Sequence, residues 1–174
     1  LVGSEMCIRD RDIMCAGAFS VSNDSDLKWV YFLDGLKDGD NNIAALIRCN
    51  DMLRQTFADS EHYQNYSVIM KNELIFRKSG MVVGDKFFYD NYCTYQNTDF
   101  ETWRKQSFEA DTWQLFPLEE IDTGEETLQA MTFSYPVRNY IQQEQEANAV
   151  VQFLLSKENL EQMFGQLLSR QGGI

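Results

Sequence analysis

An α+β fold built on an antiparallel sheet is predicted by three features of the C-terminal half of this chain. From Thr127 the large side chains Gln129, Met131, Phe133 and Tyr135 alternate with the smaller Leu128, Ala130, Thr132 and Ser134, a period of two that marks a strand. After Pro136 and a polar tip from Arg138 to Glu146, the positions Ala147, Ala149, Val151, Phe153 and Leu155 give a second strand with one wholly apolar face. Two such runs joined by a polar tip suit neighbouring antiparallel strands. Ser156 then stands at an N-cap position with Glu158 in the first turn. Leu160, Met163, Phe164, Leu167 and Leu168 follow at the spacing of a helical stripe that packs on the sheet.

The remaining elements follow in order. From Asp26, the residues Leu27, Val30, Tyr31, Leu33 and Leu36 predict a short helix closed by Gly35 and the Asp38-Gly39-Asp40 turn. Asp40 caps a second helix from Asn41 to about Phe57, with Ile43, Leu46, Ile47, Leu53 and Phe57 as its stripe. Tyr66, Val68 and Met70, a turn at Lys71-Asn72-Glu73, and Leu74 with Phe76 read as a hairpin. A short apolar run from Met81 to Val83 leads into Phe87, Phe88, Tyr89, Tyr92 and Tyr95, whose spacing matches no single period. Thr98 with Glu101 three residues on is a capping-box signature, and Phe100, Trp103 and Phe108 give the helix after it an apolar side. Trp113, Leu115 and Phe116 read as a short extended piece ending before Pro117, and Glu119 to Glu126 as an acidic loop.

The chain has 174 residues and a net charge of −12, enough length and apolar content for one ordinary core. Leu1 to Arg11, LVGSEMCIRDR, resembles the translated end of a sequencing adapter and is set aside from fold reasoning. Its removal takes Arg9 and Arg11 with Glu5 and Asp10, so the net charge stays at −12. The expected organisation is therefore residues 1–11 as non-native, 12–58 as a helical region and 59–174 as the sheet-bearing module, the whole read as a piece of a longer protein. A strongly acidic surface repels phosphate backbones and anionic lipid, so no contact with nucleic acid is expected from this segment. Cys15, Cys49 and Cys93 are too widely spaced for a metal knuckle or a disulfide framework.

Catalytic signatures are missing from the sequence. His62 is its one histidine, in a polar stretch where an exposed loop residue is the simpler reading. No Cys-x-x-Cys, Gly-rich phosphate loop or Gly-x-Ser-x-Gly elbow occurs. Glu119, Glu120, Asp122, Glu125 and Glu126 have the composition of a cation site or of the paired carboxylates of a hydrolase, but a solvated acidic loop explains them more simply. No enzyme, cofactor or metal is expected. The aromatic residues Tyr89, Tyr92, Trp103, Trp113 and Tyr135, with Arg138 as a fixed charge, have the composition of a small-ligand pocket, with core packing as the plainer reading.

One known family shares this order of features. Ser67 to Asn72, Phe76 to Gly80, Phe87-Phe88-Tyr89, Thr98 to Gln106 with Trp103, Phe133 to Pro136, and Val150 to Phe164 resemble the extracytoplasmic double-Cache, PAS-like sensor region of Firmicutes transmembrane regulators. In that family the sensor is joined to an AraC-type helix-turn-helix regulator or a histidine kinase. The resemblance implies a PAS/Cache-like antiparallel sheet with flanking helices, a non-catalytic ligand-sensing role, and a location on the outer face of a bacterial cell membrane. It further implies membrane helices outside this chain, a homodimer in the full-length protein, and a small molecule or a solute-binding protein as partner. Amino-acid-sensing members carry an Arg two residues before a Trp-Tyr pair, whereas Glu101 precedes Trp103 here and Arg104 follows it, so that ligand does not carry over. By position the candidate ligand-binding residues are Trp103, Trp113, Tyr135 and Arg138. The competing expectation is a structural or dimerisation module in which these aromatics are core.

Overall fold

A computed structural model describes residues 14–21, 23–30, 39–57, 65–138 and 147–161, with Asp12 and Tyr63 besides. The expected stripe residues Met163, Phe164, Leu167 and Leu168, the tip residues 139–146 and His62 lie outside them. Residues 14–21 are helical and are followed by α1 (Ser25–Val30) and α2 (Gly39–Thr56). Then come β1 (Asn65–Met70), β2 (Leu74–Arg77), β3 (Gly80–Val83), α3 (Asp85–Tyr92), β4 (Thr94–Tyr95) and α4 (Phe100–Glu109). The chain closes with β5 (Gln114–Asp122), β6 (Thr127–Val137) and β7 (Ala149–Ser156), and helix resumes over 157–161.

The seven strands form one antiparallel sheet in the order β3-β2-β1-β7-β6-β5-β4. The two strands predicted to be neighbours are so, with Phe133 opposite Phe153 and Tyr135 opposite Val151. β7 lies in the middle, and all eight of its residues are buried. Its odd positions Ala149, Val151, Phe153 and Leu155 join Tyr66, Val68, Met70, Leu74, Phe76, Phe133 and Val137 in a core completed by the N-terminal helices. Its even positions Val150 and Leu154 join Ile69, Ile75, Phe88, Trp103, Phe108 and Ile121 in a second core beneath α3 and α4. The fold is thus α+β, with N-terminal helices and a PAS/Cache-like antiparallel sheet with flanking helices.

Several local expectations shift. Asp24 caps α1, its Oδ1 accepting from Leu27 N at 2.9 Å, so that helix begins before Asp26. In α2 the buried side is Ala45, Leu46, Cys49 and Leu53 with Phe57 just beyond, whereas Ile43 and Ile47 are 54% and 56% exposed. Those two isoleucines sit on the neighbouring angular sector of the helix, and the sector with small Ala45 and Cys49 lies inward. Asp99, not Thr98, is the N-cap of α4, accepting from Thr102 N at 2.8 Å. The irregular aromatics resolve into α3 and β4.

Proline does not end β5. The strand continues to Asp122 because a bulge between Phe116 and Glu119 takes Pro117 and Leu118 out of the ladder, where a missing N–H removes no cross-strand bond. Pro136 is tolerated for a related reason: β5 starts opposite Ser134, so Pro136 lies past its end. The β1–β2 turn is tight, with Glu73 at φ 66 and Leu74 N bonded to Asn72 Oδ1. Asn72 Nδ2 also donates to Val30 O at 2.9 Å, tying the hairpin to the end of α1.

Two stability measurements test this packing. Phe153, fully buried against Phe57, Tyr63 and Phe133, should lose about 3 to 5 kcal/mol on Phe153→Ala in chemical denaturation, against less than about 0.5 kcal/mol for Ile47→Ala. Tyr66 buries its hydroxyl without a hydrogen-bond partner among the described residues, so Tyr66→Phe should gain about 1 kcal/mol in the same assay.

Candidate functional site

The two faces of the sheet differ in polarity. Strand register puts Gln114 opposite Ser134, Ser134 opposite Gln152, Gln152 opposite Ser67, and Ser67 opposite Arg77. Residues directly opposite share a face, so these five form one polar row across five strands. The buried polar strand residues Arg77, Glu119, Thr132, Ser134 and Gln152 all lie on this side, where α3 and α4 cover the sheet. At the same level the opposite face carries Leu115, Phe133, Phe153 and Tyr66.

Helix α4 lies over the row. Gln152 Nε2 donates to Ser107 Oγ at 2.9 Å and to Ser134 Oγ at 3.4 Å, all three being buried. One helical turn before Ser107, Trp103 is buried among Phe88, Tyr89 and Phe100 at 5.4 to 6.2 Å between ring centres. Its indole N–H has no acceptor among the described residues. The Tyr95 hydroxyl and Thr132 Oγ1 are 2.8 Å apart beside them. A buried donor left without a partner costs about 1 to 3 kcal/mol, so the indole lowers the stability of this closed arrangement.

Open grooves flank α4. One of about 630 Å³ lies between Lys86 and Tyr89 of α3, the segment after β4, and the start of α4. Behind it the buried Glu119 carboxylate accepts from Asn97 N at 2.8 Å and Thr98 Oγ1 at 3.0 Å, and the Tyr89 hydroxyl donates to Thr98 O. Lys86 Nζ stands 5.3 Å from the Phe100 ring centre and pairs with Asp90. A second groove, about 330 Å³, continues along α4 from Glu101 past Arg104 and Phe108. Arg104 Nε bonds Asp85 Oδ2 at 2.7 Å, linking the two covering helices.

The four candidate residues do not meet in one cavity. Trp103 is on the α4 side. Tyr135 packs against the opposite core, and Trp113, 41% exposed, stacks on Phe133 of that same core at 5.6 Å. Arg138 Nη2 donates to Ala110 O at 2.6 Å and lies 3.7 Å from Asp111, fastening the chain that leaves α4. Glu119, expected in a solvated loop, is instead buried in β5. Among the described residues no group of acidic, histidine or cysteine side chains is placed to hold a metal. The row itself was signalled by Gln152, a lone amide within an otherwise apolar strand.

No family model matches this chain, and no curated protein matches it.

Burial favours the neutral forms of one thiol and two phenols on this side. Desolvation pushes the Cys93 thiol up to about 12, outweighing its bond with Tyr95 and the Arg77 charge. Desolvation likewise raises Tyr95 well above, and Tyr89 above, the ordinary tyrosine range. Because these folded-state values exceed the unfolded ones, their contribution is complete below pH 9 and is lost as pH climbs towards about 12. Denaturation midpoints should therefore hold up to pH 9 and fall steeply above it. Cys93 should resist iodoacetamide at neutral pH until denaturant is added, as read by peptide mass spectrometry.

Proposed function

We propose that this chain is a ligand-sensing input domain, non-catalytic, from the extracytoplasmic side of a bacterial membrane-bound signalling or transcription-regulatory protein. The observation that carries this reading is the polar row on one face only, with Arg77, Ser134 and Gln152 of it buried. A purely structural core is as stable or more so with apolar groups of the same size, so buried amides and hydroxyls beneath a short helix are better accounted for by a ligand that shares their hydrogen bonds. The α4 cover supports it as well. Ten residues with two open grooves beside them form the kind of element that a small molecule can displace or clamp. Among the described residues no helix is long and apolar enough to cross a membrane.

A second reading, a dimerisation or partner-binding module, is favoured by a specific feature of the N-terminal helices. Phe19, Ile43 and Ile47 are each more than half exposed there. On that reading a second copy or a solute-binding protein covers them.

Thermal-shift screening against sugars, organic acids, amines and peptides separates the two. A ligand at a hundred times its dissociation constant adds about 2.7 kcal/mol of stability, a readily visible shift. Gln152→Leu should cost the unliganded protein about 1 to 3 kcal/mol, because the buried Ser107 and Ser134 hydroxyls lose their donor, while abolishing the shift given by any hit. A hit that survives Gln152→Leu would remove Gln152 and its hydrogen bonds from the site. A blank screen with a concentration-dependent change in mass would favour the partner-binding reading.

A further inference from the structure

At the far end of the polar row Arg77 is anomalous. The residue is 6% exposed, and its guanidinium carbon lies 3.9 Å from the centre of the Tyr92 ring. Its one ion-pair partner among the described residues is Glu125 Oε1, 3.6 Å from Nη2, on a side chain 74% exposed. No hydrogen bond reaches the guanidinium from the described residues. A buried arginine presents a planar fork of five N–H donors, and leaving such a fork unfilled is costly, so buried arginines are ordinarily found in bidentate pairs.

Glu125 is an exchangeable partner. The turn that carries it is closed by other bonds: Thr123 N and Oγ1 donate to Glu126 O, and Gly124 N donates to Asp122 Oδ1. Gly124, at φ 77, presses against Asn91 O of α3, where a Cβ would come within 2.1 Å. The turn therefore keeps its shape when Glu125 swings away. On the other side of Arg77, β3 contributes Gly80, which has no side chain, and a Cβ built there would meet nothing within 4 Å.

The geometry points to Arg77 as an anion-binding site that takes a small planar carboxylate, with the Glu125 side chain as its built-in competitor. An incoming carboxylate fills the fork bidentately against the Tyr92 ring, and Glu125 returns to water. The site stands apart from the Gln152 hydrogen bonds, so it can fail while ligand sensing at the row stands, and the reverse.

Acetate is the probe. The full chain, with arginine side chains labelled with nitrogen-15, is titrated with sodium acetate and, at matched ionic strength, with sodium chloride. The Arg77 Nε–Hε signal, assigned by its disappearance in Arg77→Lys, should shift saturably with acetate and not with chloride. Glu125→Gln, a change at an exposed side chain, should bind acetate more tightly by up to about fivefold, the range set by the strength of a partly exposed ion pair. Arg77→Lys keeps the charge without the fork, and backbone amides of the Thr123–Glu126 turn should report weaker binding in it. A silent wild type with a responsive Glu125→Gln supports competition by Glu125. Silence in both, or an equal response to chloride, overturns the site.

Discussion

Everything in this fold depends on β7 being buried along its whole length. A strand with no exposed residue gets its backbone partners only from β1 and β6, and both of its faces must be covered. That requirement sets the layered order of helices, sheet and helices. It also explains why two distinct cores exist, one behind the odd positions of β7 and one behind the even. The N-terminal helices and the sheet share the first core, so those helices supply a cover that the sheet cannot leave bare.

The two faces meet the requirement differently. Behind the odd positions, aromatic rings and aliphatic groups fill the space, with the Tyr66 hydroxyl as an isolated exception. Behind the even positions, hydroxyls, an amide and a guanidinium share the interior with Trp103, Phe88 and Phe108. Polar groups in such an interior stay favourable only while their partners are in place, so small displacements of α4 change several hydrogen bonds together. A helix resting on Gln152 through Ser107 is a more responsive cover than one resting on methyl groups.

Much of the fold was legible because its strongest patterns are local. The β1–β2 hairpin, the paired strands β6 and β7, α2, α4 and the Ser156 cap, whose Oγ accepts from Asn159 N, follow from alternation, helical spacing and capping chemistry. What was hidden lies between elements. Pro117 reads locally as a strand end, and only the bulge paired against β6 shows otherwise. Ile43 and Ile47 are as apolar as Leu46, so periodicity alone does not choose between adjoining helix sectors. The polar row is invisible in one dimension, because its members come from five strands and meet only through register. The aromatic candidates were chosen by composition, and composition does not say that Trp103 and Tyr135 sit on opposite faces of one sheet.

The bond from Asn72 to the carbonyl of Val30 gives the architecture a mechanical property. It fixes the corner of the β1–β2 hairpin to the end of a helix that is also held by the first core. Sheet and helices are thereby welded at two points rather than joined at one. A twist imposed on the central strands has no slack to absorb it and must reappear as a tilt of the N-terminal helices, so the domain behaves as a lever with a short, stiff arm.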